Sequence, residues 1–403
     1  MKFLIIAGEV SGDMHAARLV KAVKERLPDS EFFGIGGNEM RSAGVKLFQH
    51  TNDMAVMGFT EVVRRYGFFK RVLCQMAETA RKEKPDAVIL VDYPGFNLRL
   101  AARTHKLGIK TIYYICPQVW AWNQSRIPKM ARIVDRLITI FPFEQKHFKD
   151  TDLTVDYVGH PLVDEAKKAL NEPQADLDVE GNPLIALLPG SRPHEIKRLL
   201  PAMWSAALLL EKKHPDACFV IAAPSSEMAN AAQDIIKNIS AKPLRWKIIT
   251  GKTRQVLRAA RAALVASGTA TIEAALMLCP MVIAYRMAIL TYLFGRMLVK
   301  IDDIGMVNIV AGKKICPEFI QDAVTPEALA NAIEPLLADT PERSEMIAAL
   351  KKVSHALGPG GAESKAAEII IEELTTEGTE ARSGVLRKFA PPIFRRRKFP
   401  QRL

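Results

Sequence analysis

Cysteine is scarce in this chain. Five cysteines among 403 residues (Cys74, Cys116, Cys218, Cys279 and Cys316) are odd in number and far apart, and none forms a C-x-x-C pair or joins histidines at zinc-ligand spacing. A disulfide-stapled scaffold and a structural zinc site are excluded, and reduced thiols in a cytosolic compartment are expected. Long apolar runs are lacking too. The opening MKFLIIAGEVSGD meets a turn and acids too soon for a signal peptide, and the most apolar later stretch, between Arg286 and Arg296, is too short to span a bilayer. No G-K-[ST] follows the turn Leu188-Pro189-Gly190-Ser191-Arg192, so it is not a P-loop, and its spacing does not give the dinucleotide fingerprint G-x-G-x-x-G. What is present is globular: 49% apolar and 25% charged residues, enough for large buried cores in two or three domains.

Acidic residues are missing from the C-terminus. From Arg382 to Leu403 the charged residues are Arg382, Arg387, Lys388, Arg395, Arg396, Arg397, Lys398 and Arg402, eight of the formal net charge of +12. Residues 376–403 read as a mobile basic tail. A solvated end, attraction to anionic lipid and RNA binding are all open for it, although no RNA-binding fold accompanies it.

Short apolar runs alternate with helical periodicity along the rest. KFLIIA (2–7), EFFGI, AVILV (87–91), TIYYI (111–115) and RLITI (136–140) predict buried strands, with a helix over 14–27 after the first. A polar, turn-rich stretch at 171–183 predicts a linker. The plan then restarts with LIALL (184–188), a helix over 195–213, and CFVIAA, WKIIT, AALVAS and PMVIAY. This alternation predicts an α/β chain of two doubly wound, Rossmann-like domains, 1–170 and 184–340, facing across a cleft. Helices over 341–375 are expected to pack across the halves.

The turns after these strands hold the candidate chemistry. In Gly8-Glu9-Val10-Ser11-Gly12-Asp13-Met14-His15 the two acids would repel a pyrophosphate but accept hydrogen bonds from sugar hydroxyls; a capping role for Ser11 or Asp13 is the plainer alternative. Val91-Asp92-Tyr93-Pro94-Gly95-Phe96-Asn97 ends a buried strand, so Asp92 is either a general base at the sheet mouth or a turn aspartate before Pro94. CPQVWAW (116–122) sets two tryptophans after another strand, for sugar or acyl contact or for the core.

The second half repeats the arrangement. Leu188-Pro189-Gly190-Ser191-Arg192 joins free amides, a helix start and a guanidinium, an anion site unless it is a surface turn. Ser267-Gly268-Thr269-Ala270-Thr271-Ile272-Glu273 offers hydroxyls and amides to phosphate, with Glu273 able to accept from two ribose hydroxyls; helix capping explains Thr269 or Thr271 as well. At the surface, VVRRYGFFKRVLCQM (62–76) interleaves Tyr66, Phe68 and Phe69 with Arg64, Arg65, Lys70 and Arg71, either a basic amphipathic helix for a lipid interface or the core face of a helix. AILTYLFGRMLV (288–299) is similar, though core or subunit packing suits it better.

GEVSGDMH, MGFTEV (57–62), VDYPGFN, CPQVWAW, FPFE (141–144), VGHP (158–161), LLPGSR, ASGTATIE, CPMVIAYR (279–286) and VNIVAG (307–312) run in this order through residues 1 to about 375. Together they resemble the lipid-A-disaccharide synthases, inverting glycosyltransferases of the two-domain GT-B type. The resemblance implies transfer of 2,3-diacylglucosamine from UDP-2,3-diacylglucosamine to 2,3-diacylglucosamine 1-phosphate, giving UDP and a β-1,6-linked disaccharide phosphate. It implies no metal or other cofactor, no nucleic-acid partner, and a cytoplasmic enzyme on the anionic inner-membrane surface; self-association is left open. Asp92 is expected as base, with His15 as runner-up and Glu9 beside them. Ser11, Gly12, Asp13 and Asn97 are expected on the acceptor side. Gly190, Ser191, Arg192, Ser267, Gly268, Thr269, Thr271, Glu273 and Asn308 are expected on the nucleotide. The chain departs from the family pattern at Ala16 and Val307, and in its tail.

Overall fold

A computed structural model describes residues 1–54, 65–122, 124–287 and 303–388, and side chains for all of these except 122 and 376–388. MGFTEV, Arg64, the 288–299 stretch and residues 389–403 lie outside the described residues.

The apolar runs form strands because a run buried on both faces has no polar side to show water. β1 (Lys2–Ala7), β2 (Glu31–Gly36), β3 (Val45–His50), β4 (Ala87–Val91), β5 (Lys110–Tyr114), β6 (Arg136–Thr139) and β7 (Thr154–Tyr157) make a sheet ordered 3-2-1-4-5-6-7. β8 (Leu184–Leu188), β9 (Cys218–Ala223), β10 (Trp246–Thr250), β11 (Ala262–Ala266), β12 (Met281–Tyr285) and β13 (Glu318–Ile320) make another, ordered 10-9-8-11-12-13. The central strands β4, β8 and β11 are buried along their whole length. β3, β7 and β13 are half-exposed edge or near-edge strands whose mixed polarity hides them in the sequence.

Both sheets carry a topological switch point. In the first, the chain winds outward from β1 through β2 to β3 and then returns to β4 on the other side of β1. Ala7 of β1 is in register with Val91 of β4, so the turns that follow these two strands lie side by side. In the second, β8 and β11 are the neighbours at the reversal, with Leu188 in register with Val265. Crevices at the carboxyl ends of such strand pairs are where open α/β sheets bind ligands.

The chain divides into two compact units. One is Met1–Tyr114 with Ile133–Arg136 and Glu363–Leu403; the other is Ile115–Arg132 with Leu137–Ala362. This division differs from the sequence-based one at 170 and 340. Within the second unit, residues 157–167 are tied to 356–361: Tyr157 donates to the Ala356 carbonyl (2.6 Å), His160 N–H to the Leu357 carbonyl (2.8 Å) and Gly361 N–H to Asp164 (2.7 Å). The last helix, Ala362–Lys388, belongs mostly to the first unit, where Glu373 bridges Lys110 and Arg136 at 2.9 Å each and Ser364 accepts from Arg26 (2.7 Å). That helix continues past residue 376, into the stretch read from sequence as tail.

Candidate active site

At the first switch point the turn after β1 is shorter than the sequence suggests. Only Gly8 and Glu9 turn; α1 (Val10–Arg26) begins at once, with Glu9 extended at its N-cap position. Ser11 is therefore exposed in the first helical turn, and His15 sits half-buried one turn on. Gly8 is required by close approach, since a Cβ there would lie 2.2 Å from the Tyr93 ring. Asp13 caps a different helix from its own. Its buried carboxylate accepts N–H bonds from Gly37 (2.6 Å), Met40 (3.1 Å) and Glu39 (3.1 Å) at the start of α2 (Asn38–Ser42). These bonds place the Asp13 carboxylate on α2 and not on the start of α1.

Beside this turn, β4 ends in strained backbone. Asp92 (φ 45°) and Tyr93 (φ 47°) are consecutive non-glycine residues in the left-handed region, each costing about 1–3 kcal/mol. The Asp92 carbonyl is fixed by two donors, the Tyr113 hydroxyl (2.5 Å) and Asn97 Nδ2 (2.8 Å). Asn97 is fully buried and also donates to the Val91 carbonyl (3.2 Å), so it braces the turn instead of facing an acceptor. Pro94 then starts the helix Pro94–His105. Burial first, and the Glu9 carboxylate second, push the Asp92 carboxyl up to about 6. Tyr93 is pushed up to about 12 by burial and by Glu9, and donates to the Met54 carbonyl (3.1 Å).

At the second switch point, Gly190 (φ 136°) and Ser191 follow β8, and the helix Pro193–Lys213 starts after Arg192. Glu195 folds back so that a Cβ on Gly190 would strike it, and its carboxylate accepts from the Ser191 amide (2.8 Å) while lying 3.9 Å from the exposed Arg192 guanidinium. Sequence reasoning missed Glu195, although its place three residues after Arg192 is that of a carboxylate that caps a helix start. After β11, Gly268 takes the N-cap position of the helix Thr269–Leu276 with Thr269 exposed, and the Ser267 hydroxyl donates to the Ile304 carbonyl (2.8 Å). Thr271 is buried and donates back to the Gly268 carbonyl (2.8 Å), which shapes the turn and leaves that hydroxyl's proton unavailable to a phosphate. Glu273 lies 3.1 Å from Arg254.

Asn308 is fully buried and spends its amide on the Cys316 carbonyl, Glu318, and the amides of Ile315 and Cys316. That network turns the Asn308 side chain to residues 315–318. Glu318 also accepts from the amides of Ile304 and Gly305 (2.9 Å each), so the Asn308–Glu318 pair holds the segment that meets Ser267. The CPQVWAW and FPFE segments are joined by buried Glu144, which accepts from the Trp120 indole (3.2 Å) and the Phe141 amide (3.1 Å).

On the helix Tyr66–Glu83, Val72, Leu73, Met76 and Ala80 form the core face. Tyr66, Lys70 and Arg71 are exposed, Phe68 and Phe69 half-buried. Arg65 lies with its guanidinium 4.8 Å from the Phe68 ring centre and donates to the Asp53 carbonyl (2.6 Å). Among the described residues, no helix is long and apolar enough to cross a membrane. All five cysteines are free thiols.

Two wound parallel sheets, each with glycine-bearing turns at its switch point, define the class of two-domain, Rossmann-like α/β folds. Solved structures agree on the fold: the glycotransferase of kitacinnamycin (TM-score 0.63, 15% identity, covering 93% of this chain and 98% of that one) and the UDP-GlcNAc 2-epimerase of Neisseria meningitidis bound to UDP-GlcNAc (TM-score 0.61, 13% identity, 93% and 100%). Within that class the chain belongs to the lipid-A-disaccharide synthetase family, whose profile matches residues 3–372. The lipid-A-disaccharide synthase of Anaeromyxobacter dehalogenans (strain 2CP-C) is 41% identical over 375 residues, 92% of this chain and 97% of that protein. The chain is thus a glycosyltransferase of lipid A disaccharide formation.

Proposed function

We propose that this chain transfers 2,3-diacylglucosamine from UDP-2,3-diacylglucosamine to 2,3-diacylglucosamine 1-phosphate. The observation that carries the reading is the contrast in charge handling between the switch points: a carboxyl with its acidity moved to about 6 at one, and paired amide-bearing turns with a guanidinium at the other. Asp92 takes the proton from the attacking acceptor hydroxyl. That oxygen bonds to the anomeric carbon as the bond from this carbon to the diphosphate breaks, with inversion, and UDP leaves with the electron pair. Arg192, the Ser191 hydroxyl and the amides of Gly190, Gly268 and Thr269 carry the developing diphosphate charge, Ser267 fixes the turn through Ile304, and Glu273 takes the ribose hydroxyls. Protein donors then do what a divalent cation would otherwise do, which turnover in the presence of a chelator checks. His15 and Glu9 flank the base.

The acylated substrates put the enzyme on the cytoplasmic face of the inner membrane. The exposed Tyr66, Lys70 and Arg71, with half-buried Phe68 and Phe69, suit an anionic lipid interface. Incubation with UDP-2,3-diacylglucosamine, following UDP release and disaccharide formation, tests the reaction. UDP release should require the lipid acceptor. Release to water alone, or an epimerised donor without acceptor, overturns the reading.

A further inference from the structure

Glu273 belongs to a chain of three charged groups, one from each of three helices in the second unit. Arg254 stands in the first turn of the helix Thr253–Ala259, Glu165 in the first turn of Leu162–Asn171, and Glu273 in Thr269–Leu276. Arg254 Nη2 lies 3.1 Å from Glu273 Oε1, and the same nitrogen donates to Glu165 Oε2. Side-chain exposures of 26% for Arg254, 16% for Glu165 and 19% for Glu273 put all three largely out of water.

We infer that Arg254 is the positioning residue that keeps the Glu273 carboxylate charged and aimed, with Glu165 anchoring the same guanidinium nitrogen; the inference rests on the assignment of Glu273 to the ribose. Accepting from two adjacent hydroxyls needs an ionised carboxylate in one orientation, because a protonated acid loses an acceptor site and gains a donor. Burial works against ionisation, and Glu165 adds a like charge; Arg254 is the group that opposes both. Of the other elements packed on this helix, β11 and the helix Met306–Ala311 bring no titratable side chain, and β12 brings Tyr285, which does not act on the Glu273 carboxyl. The helix Pro341–Ala356 carries Glu342, Arg343, Glu345, Lys351, Lys352 and His355, none of which acts on the Glu273 carboxyl. Without the guanidinium, two carboxylates would share a largely buried site, and one of them would take a proton.

The test is UDP affinity by calorimetry for the full chain and for E273Q, R254Q, R254K and R254Q/E165Q, between about pH 6.5 and pH 9, with 2′-deoxy-UDP as a second ligand. R254Q should bind UDP about tenfold more weakly at neutral pH and regain most of that as pH rises and Glu273 ionises. Adding E165Q should bring the recovery to lower pH, and R254K should stay within about threefold of the unaltered chain because it keeps the charge. For 2′-deoxy-UDP the R254Q penalty should shrink. R254Q binding as the unaltered chain does, or a loss that is the same at every pH and not rescued by lysine, overturns the positioning role. Unchanged affinity in E273Q overturns the ribose assignment itself, and the inference with it.

Discussion

The two switch points share a topology and differ in what they do with charge. At the first, a carboxylate stands on left-handed backbone, is largely buried, and, among the described residues, has a second carboxylate acting on it and no cation. At the second, every carboxylate near the turns is engaged: Glu195 with the Ser191 amide and Arg192, Glu273 with Arg254. A carboxylate with only another carboxylate acting on it gains a proton more readily, whereas cations at the second turns offset part of the acidic charge, although burial still raises the Glu273 carboxyl. One fold element thus serves proton abstraction in one sheet and anion binding in the other, and the difference lies in the two or three side chains around each turn.

The sharpest way to break this comparison is at Asp92. D92N keeps the shape and tolerates the left-handed conformation about as well as aspartate. It should lower turnover by about a thousandfold, within the span of a general base, and leave UDP affinity unchanged. It should also stabilise the protein. Because the folded acidity, about 6, lies above the usual aspartate value of 3.8, the folded chain holds the proton more tightly than the unfolded one, and stability falls as pH rises through that window. At neutral pH the deficit is fully present, at most on the order of 3 kcal/mol, and D92N removes it. A thermal midpoint that drops, or normal turnover, sinks the role.

Arg192 makes the converse case. R192A should weaken UDP binding by about ten- to a hundredfold, the loss of one charge-assisted contact to phosphate, while the acid limb of the pH–rate profile stays in place. Unchanged UDP affinity would take Arg192 off the nucleotide. A smaller effect belongs to Tyr113, whose hydroxyl is one of the two donors on the Asp92 carbonyl. Y113F should cost about 1 kcal/mol of stability and about tenfold in kcat with KM little changed, since the base would be less firmly aimed. A KM effect without a kcat effect would place Tyr113 in binding instead.

Much of this contrast could be read in the sequence. The central strands are uninterrupted apolar runs, and the turns after them punctuate the chain with glycine, so the two wound sheets and the candidate turns followed from pattern alone. The edge strands β3, β7 and β13 could not be read, because half-exposed strands mix polarity. Nor could the duties of Asp13, Asn97 and Asn308. Asp13 and Asn308 find their partners on other segments and Asn97 on its own turn, and a polar residue in a ligand-like motif looks the same whether its hydrogen bonds go to a ligand or to the backbone. Arg254 is hidden in the same way, since its importance comes from which side chains it reaches after folding, whereas Glu195 stands at a capping position that the sequence does show.

The finest distinction concerns Glu9. Burial is the first cause of the raised Asp92 acidity and Glu9 only the second, so E9Q removes the lesser part. A base works when deprotonated, so kcat/KM in the unaltered chain should fall as pH drops through about 6. In E9Q that limb should move to lower pH, by less than about one unit, with almost no change in rate at neutral pH, where Asp92 is already ionised in both. At about pH 5.5 the variant should therefore outperform the unaltered chain, an acid-side gain from deleting a residue beside the base. A limb that stays put means that Glu9 does not act on the base. A limb that moves upward means that Glu9 supports the ionised form, and the contrast between a first switch point where carboxylate acts on carboxylate and a second where cations face the carboxylates would have to be abandoned.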